Sequence, residues 1–217
     1  MAWSPDGRQL ATGSHDRTVR IWDVRDGIEL TVLRGHEARV TSLTWSPDGQ
    51  QLASASHDRT TRIWDPTAGA NPLILTGHGD AVWDVTWSPD GRSVATVSDD
   101  RTARIWDARH GDELLVMRGH THDVWCCAWL PDRQQLVTGS RDGTVRLWAA
   151  QESDELIILR GHDDAVRSVK WSPDSRLLAS TSSDRTVRIW DAEHGTEIHV
   201  LRGHQEGATD VPVGSCS

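Results

Sequence analysis

Trp22, Trp64, Trp106, Trp148 and Trp190 stand 42 residues apart, each inside an "RIWD" or "RLWA" tetrapeptide. A fixed period of that length restricts a chain to an array of stacked supersecondary units, either a solenoid or a propeller. The text within one period separates the two. Each unit runs "GH", an apolar segment such as "VTSLTW", a turn "SPDG", a second segment such as "QLASAS", then "HDRTTRIWD" and a fourth run such as "LILTGH". These are four short strand-like runs divided by turn residues, and none follows the 3.6-residue period of a helix. Proline presets φ at the second position of "SPDG" and glycine relieves the exit, so the tetrapeptide predicts a hairpin turn at Ser4, Ser46 and Ser88. Weaker forms, "LPDR" and "SPDS", begin at Leu130 and Ser172. In "QLASAS" the residues Leu52, Ser54 and Ser56 share one face while Ala53 and Ala55 share the other, where small side chains allow close packing.

With no Phe and no Tyr, the large apolar mass falls to 12 Trp plus Val, Ile and Leu, so Trp placement is the main structural signal. The net charge is −9, and the 23 basic residues, 22 Arg and Lys170, are spread along the chain. That distribution argues against a nucleic-acid footprint, which needs a basic stripe. Three cysteines, with Cys126 and Cys127 adjacent, do not make a secreted-type framework, and the expected compartment is the cytoplasm. One of the adjacent pair is expected to be buried as a small hydrophobe. No apolar run approaches the roughly 18 residues of a spanning helix, so no membrane is expected as a partner.

The repeated unit "GH…WSPDG…LASxSxDxTxRIWD" resembles the WD40 repeat, in five copies over essentially the whole chain. The resemblance implies an all-β propeller of four-stranded antiparallel blades, five to the chain. The units run approximately 1–32, 33–74, 75–116, 117–158 and 159–200, with a closing segment at 201–217. It also implies a buried relay in each blade: His36, Ser54, Asp58 and Trp64; His78, Thr96, Asp100 and Trp106; His120, Thr138, Asp142 and Trp148; His162, Ser180, Asp184 and Trp190. The donor inventory is consistent with a chain from Trp to hydroxyl to His to Asp, in which each polar group is satisfied. A second hydroxyl two residues before each Asp (Ser14, Ser56, Ser98, Ser140, Ser182) is equally regular, and spacing alone does not choose between them. A hydroxyl, His and Asp invite a catalytic-triad reading, but a set copied into every repeat is scaffold. No catalytic, metal or cofactor site is expected; His120 and His122 lack companions at zinc-ligand spacing.

The first unit holds Thr12, Asp16 and Trp22 without a preceding His. The 42-residue period assigns it His204, so the segment from Leu201 is expected to close the ring by joining the N-terminal strands. The arithmetic allows a monomeric five-blade ring or a homodimer joining two chains into ten blades. If the repeated positions are scaffold, recognition falls where the copies differ. The family's top-face positions map to Thr41, Trp83, Trp125, Arg167 and Thr209, to Arg39, Ala81, Asp123, Ala165 and Gly207, and to His15, His57, Asp99, Arg141 and Ser183. Trp83 and Trp125 are extra to the scaffold tryptophans and either anchor a partner side chain, a cation among the candidates, or fill space near the axis. Arg17, Arg59, Arg101 and Arg185 recur too regularly to encode a partner. The fourth unit, with Leu130, Arg133, Ala149 and Ala150 in place of the usual residues, is expected to be the irregular blade. The resulting expectation is a non-enzymatic scaffold that binds a protein or peptide on its top face. A structural or sensory fragment of a larger WD40 protein, and an enzyme with a site at the channel mouth, are the alternatives.

Overall fold

The computed structural model describes residues 1–67, 71–130, 135–151 and 154–208. It contains five antiparallel sheets of four strands each, all connected in sequence order, spanning residues 2–34, 40–76, 82–118, 124–160 and 166–202. We call these blades 1 to 5. The turn chemistry accounts for the first hairpin of each blade. Ser46 Oγ donates to Asp48 Oδ1 at 2.5 Å and accepts from the Gln51 amide, while Gly49, at φ 71°, returns its N–H to the Ser46 carbonyl. Blade 5 makes the same turn with Ser175 in the left-handed conformation where the others use glycine. Arg17, Arg59, Arg101 and Arg185 also occupy left-handed turn positions, and the fourth unit places Gly143 there. Their repetition therefore follows a turn, not a partner.

Successive blades pack face to face. Ala53, Ala55, Ile63 and Leu75 of blade 2 meet Val82, Val85, Trp87, Val94 and Trp106 of blade 3. The same columns build the other three junctions. The alanine face thus receives the tryptophan face of the next blade, and the indoles supply bulk that the alanines leave room for. Inner-strand tryptophans stitch the junctions: the Nε1 atoms of Trp45, Trp87 and Trp129 donate to the carbonyls of Ala2, Thr44 and Thr86 at 3.2–3.3 Å. Both Cys126 and Cys127 are buried, not one of them, because an inner strand is covered by a blade on each side.

Blade 4 pairs in the same register as its neighbours. Arg133 lies outside the described residues, while Leu130 is buried and Ala149 donates its N–H to the Asp154 carbonyl as part of the outer turn.

The inner strands pack in the order of blades 1, 2, 3, 4 and 5, and among the described residues blade 5 does not return to blade 1. Of the two closures that the period allows, the one within a single chain is therefore not made. His204 is exposed and does not meet Asp16, whose carboxylate keeps only the Thr18 hydrogen bonds that the other blades also make. The segment beyond residue 208, including Thr209, lies outside the described residues.

Candidate functional site

The repeated polar residues form continuous chains of hydrogen bonds. In blade 3, Trp106 Nε1 donates to Thr96 Oγ1 at 2.8 Å, Thr96 Oγ1 to His78 Nε2 at 2.8 Å, and His78 Nδ1 to Asp100 Oδ2 at 2.8 Å. This direction requires the neutral imidazole with its proton on Nδ1. Blades 2, 4 and 5 repeat it through Trp64, Ser54, His36 and Asp58, through Trp148, Thr138, His120 and Asp142, and through Trp190, Ser180, His162 and Asp184. Of the two hydroxyls in each repeat, the earlier one is in the chain. Ser56, Ser98, Ser140 and Ser182 instead donate to backbone carbonyls and accept the amide of the following Asp.

Burial raises the pKa of each relay carboxyl, but the imidazole, the Thr hydroxyl two residues on and a backbone amide all donate to it. The hydrogen bonds prevail, and Asp58, Asp100, Asp142 and Asp184 lie well below the usual carboxylate range. Burial lowers His162 in spite of Asp184. In blade 1 Trp22 Nε1 donates to Thr12 Oγ1 at 2.9 Å, but no imidazole follows among the described residues. With the serine or threonine hydroxyl buried, accepting from the indole and donating to an imidazole that is itself bonded to the Asp, these sets carry no available nucleophile.

The variable positions converge elsewhere. In each of blades 2 to 5 the register of the inner strand slips by one residue at its start, and the extra residues are Thr41, Trp83, Trp125 and Arg167. A bulge re-aims the residue it displaces, so this column leaves the strand's alternation and lines one cavity. Trp83 and Trp125 meet edge to face with ring centroids 6.3 Å apart, and His57 lies 4.6 Å from Trp83. Trp83 Nε1 donates to Asp99 Oδ1 at 2.5 Å. Burial, with the charge of Asp123 added, raises the Asp99 carboxyl against that hydrogen bond. Trp125 points its buried Nε1 toward the same carboxylate, outside ordinary hydrogen-bond geometry but near enough to oppose the rise of the Asp99 carboxyl.

The ring faces are not vacant. Arg39 places its guanidinium 5.3 Å from the Trp83 centroid, and Arg167 sits 4.3 Å from that of Trp125. The chain's own cations thus lie over both tryptophans. Arg39 donates to His57 Nε2 at 2.9 Å, and burial, then the Arg39 charge, lowers the His57 pKa. Arg167 donates to Ser183 Oγ at 2.7 Å. Arg141 pairs with Asp123 at 3.3 Å. Ala81 and Ala165 are buried, and His15, exposed on blade 1, lies near enough to His57 for its charge to help lower the His57 pKa.

Beneath the two tryptophans a cavity of 410 Å³ runs between the inner strands, lined by Ser42, Asp84, Cys127, Ser168 and Lys170 among others. Asp84 accepts Ser42 Oγ at 2.7 Å on one oxygen and the Cys127 amide at 3.0 Å on the other, joining blades 2, 3 and 4. Burial raises its carboxyl above the usual range, and the charge of Lys170 only partly offsets this. Sequence reasoning missed Asp84. Its signal was present: an acid stands where the other repeats have Ser42, Cys126 and Ser168.

Five four-stranded antiparallel blades, a Trp–hydroxyl–His–Asp relay in four of them and a variable rim define a repeat propeller, and the chain belongs to the WD40-repeat β-propeller family. Residues 1–157 match the family described as the IFT122 first beta-propeller, and residues 153–191 match the WD domain, G-beta repeat. Among curated proteins, the chain is 46% identical over 43 residues to the general transcriptional corepressor TUP1 of Saccharomyces cerevisiae, covering 20% of this chain and 6% of that protein. It is 49% identical over 41 residues to human WD repeat-containing protein 86, covering 19% and 11%. The matched stretch is thus a small part of each relative's length.

Proposed function

We propose that this chain is a non-enzymatic interaction scaffold that binds a protein or peptide at the channel mouth, and that the segment it holds there is acidic. The observation that carries the reading is the bulged Trp83–Trp125 pair with Arg39 and Arg167 laid over its rings. Asp99 and Asp123 already have donors on this chain. Arg39 and Arg167 donate to the uncharged His57 and Ser183 and make no salt bridge within the described residues. An incoming carboxylate satisfies those donors, and charge-assisted bonds are the strong ones. The repeated residues are engaged with one another and leave the rim to discriminate between partners.

Capture of partners from a lysate with the Trp83→Ala, Trp125→Ala double variant tests the site. Loss of the proteins retained by the parent chain, with the variant still folded by circular dichroism, is expected, since aromatic anchors dominate binding energy where they occur. Undiminished capture by the folded variant contradicts the reading. The small share of each relative that the chain matches favours a second reading, in which this scaffold is one segment of a larger WD40 protein.

A further inference from the structure

The arginine in the third strand of each blade has a fixed partner, except in blade 2. Arg20, Arg104, Arg146 and Arg188 each give Nη1 to Oε2 of a glutamate at the neighbouring outer strand, respectively Glu29, Glu113, Glu155 and Glu197. Blade 2 keeps the arginine, Arg62, but has Asn71 where the period places the glutamate. No residue between Asp65 and Leu73 is acidic, so the loop offers no substitute. The relay offers none either. Arg20 and Arg104 lie 3.7 Å from Asp16 and Asp100, whereas Arg62 makes no ion pair with Asp58, whose carboxylate accepts from His36, Thr60 and the Glu37 amide. Pro72 has no N–H for a ladder, and the outer strand of blade 2 begins only at Leu73, while those of blades 1, 3 and 4 begin at the glutamate itself.

The guanidinium is nonetheless held in place. Its carbon sits 5.9 Å from the Trp64 ring centroid, and its Nη1 abuts Gly35, where a Cβ would lie 2.5 Å away. At Gly77, Gly119 and Gly161, the corresponding glycines, both the arginine Nη1 and the glutamate Oε2 stand within 3.1 Å of that point. At Gly35 the nearest groups are the cation and the edge of Trp64. Arg34, exposed at the end of the outer strand of blade 1, immediately precedes this glycine. Neither Arg34 nor Arg62 forms an ion pair among the described residues. Two arginines thus share one edge of the junction between blades 1 and 2, with no acid bonded to either.

We infer that this edge docks an acidic segment of a partner protein, whose glutamate or aspartate takes on Arg62 the place of the repeat's own glutamate, with Arg34 adding charge for a neighbouring acid. The molecule's own copies show the ligand: four times the same guanidinium nitrogen holds a glutamate oxygen. Guanidinium and carboxylate are matched in geometry as well as charge. Half-burial of Arg62 also reduces the screening that weakens fully exposed pairs. The inference is independent of the rim site, whose cations are Arg39 and Arg167.

NMR of the arginine Nε–Hε groups, titrated with a capped oligoglutamate peptide, tests it. The buried Arg62 Nε keeps its proton from rapid exchange, and Arg62→Lys assigns the signal by its loss. That signal is expected to shift and saturate with oligoglutamate and to stay in place with capped oligoserine. The Arg39→Ala, Arg167→Ala variant is expected to match the parent at Arg62, which separates this edge from the rim. Asn71→Glu supplies a carboxylate from within the chain and is expected to weaken the peptide on the order of tenfold, the scale of one charge-assisted hydrogen bond. Asn71→Gln, with the same reach and no charge, is expected to leave the affinity unchanged. Asn71 is exposed, so neither change enters the core. An Arg62 signal unmoved by oligoglutamate overturns the inference. So do equal affinities in the Asn71→Glu and Asn71→Gln variants, both folded by circular dichroism. Acetate shifting the signal as readily per carboxylate overturns it too, since the position is then a small-anion site and not a docking edge.

Discussion

Replacing Thr138 with valine is expected to lower the unfolding free energy by about 2–4 kcal/mol, although the two side chains have nearly the same shape. The hydroxyl accepts from Trp148 Nε1 at 2.9 Å and donates to His120 Nε2 at 2.8 Å, and Thr138 is fully buried. Valine leaves a donor and an acceptor unsatisfied where water has no entry, and each such group costs about 1–3 kcal/mol. Blade 1 supplies the comparison within the same molecule. Thr12 accepts from Trp22 but meets no histidine, and both residues are half-buried. There, Thr12→Val is expected to cost about 0.5–1.5 kcal/mol, the net worth of one ordinary hydrogen bond. Denaturant titration of both variants measures the difference through the midpoint at unchanged slope. Equal losses in blades 1 and 4 contradict a cooperative relay.

The second large effect is expected from acid. The relay carboxyls of the folded chain lie below their ordinary value of 3.8, so the unfolded chain takes up protons first as the pH falls. Stabilisation from these groups is complete above about pH 4 and is lost progressively below it. His162 acts in the same direction at a higher pH. Its folded value lies below 6.5 because the ring is buried, so its contribution is present above that value and declines beneath it. Asp84 and Asp99 are raised and oppose the trend, contributing most where they are protonated, but they are two against four. The urea midpoint is therefore expected to fall steeply between pH 4 and 3, where the four relay carboxyls act. A midpoint unchanged down to pH 3 contradicts the assignment of the relay protons.

Periodicity made the blades legible because every repeat solves one packing problem in one way. A tryptophan face filling an alanine face demands Trp64, Trp106 and Ala53 at fixed offsets, and the offsets are visible in the chain. The relay was legible as a set of residues but not as a path. Spacing left Ser54 and Ser56 equivalent, and only the fold shows that Ser54 lies between Trp64 and His36 while Ser56 turns to the backbone. At the rim, the variable columns marked Trp83 and Trp125 but not what covers them. The covering cations, Arg39 and Arg167, come from neighbouring blades, and the bulge that lifts each residue out of alternation leaves no mark in composition. Asp84 escaped for a related reason. Its partners lie about 42 residues away on either side, so its meaning depends on three inner strands at once.

Selection from a displayed library of random short peptides tests the central claim most directly, because it asks the rim for its chemistry without naming a partner. The parent chain is expected to enrich sequences rich in Asp and Glu. The folded Arg39→Ala, Arg167→Ala variant is expected to bind the enriched peptides on the order of tenfold more weakly or worse, the scale of one lost charge-assisted hydrogen bond. Enrichment of basic peptides, or acidic peptides held equally well by the variant, would contradict the account.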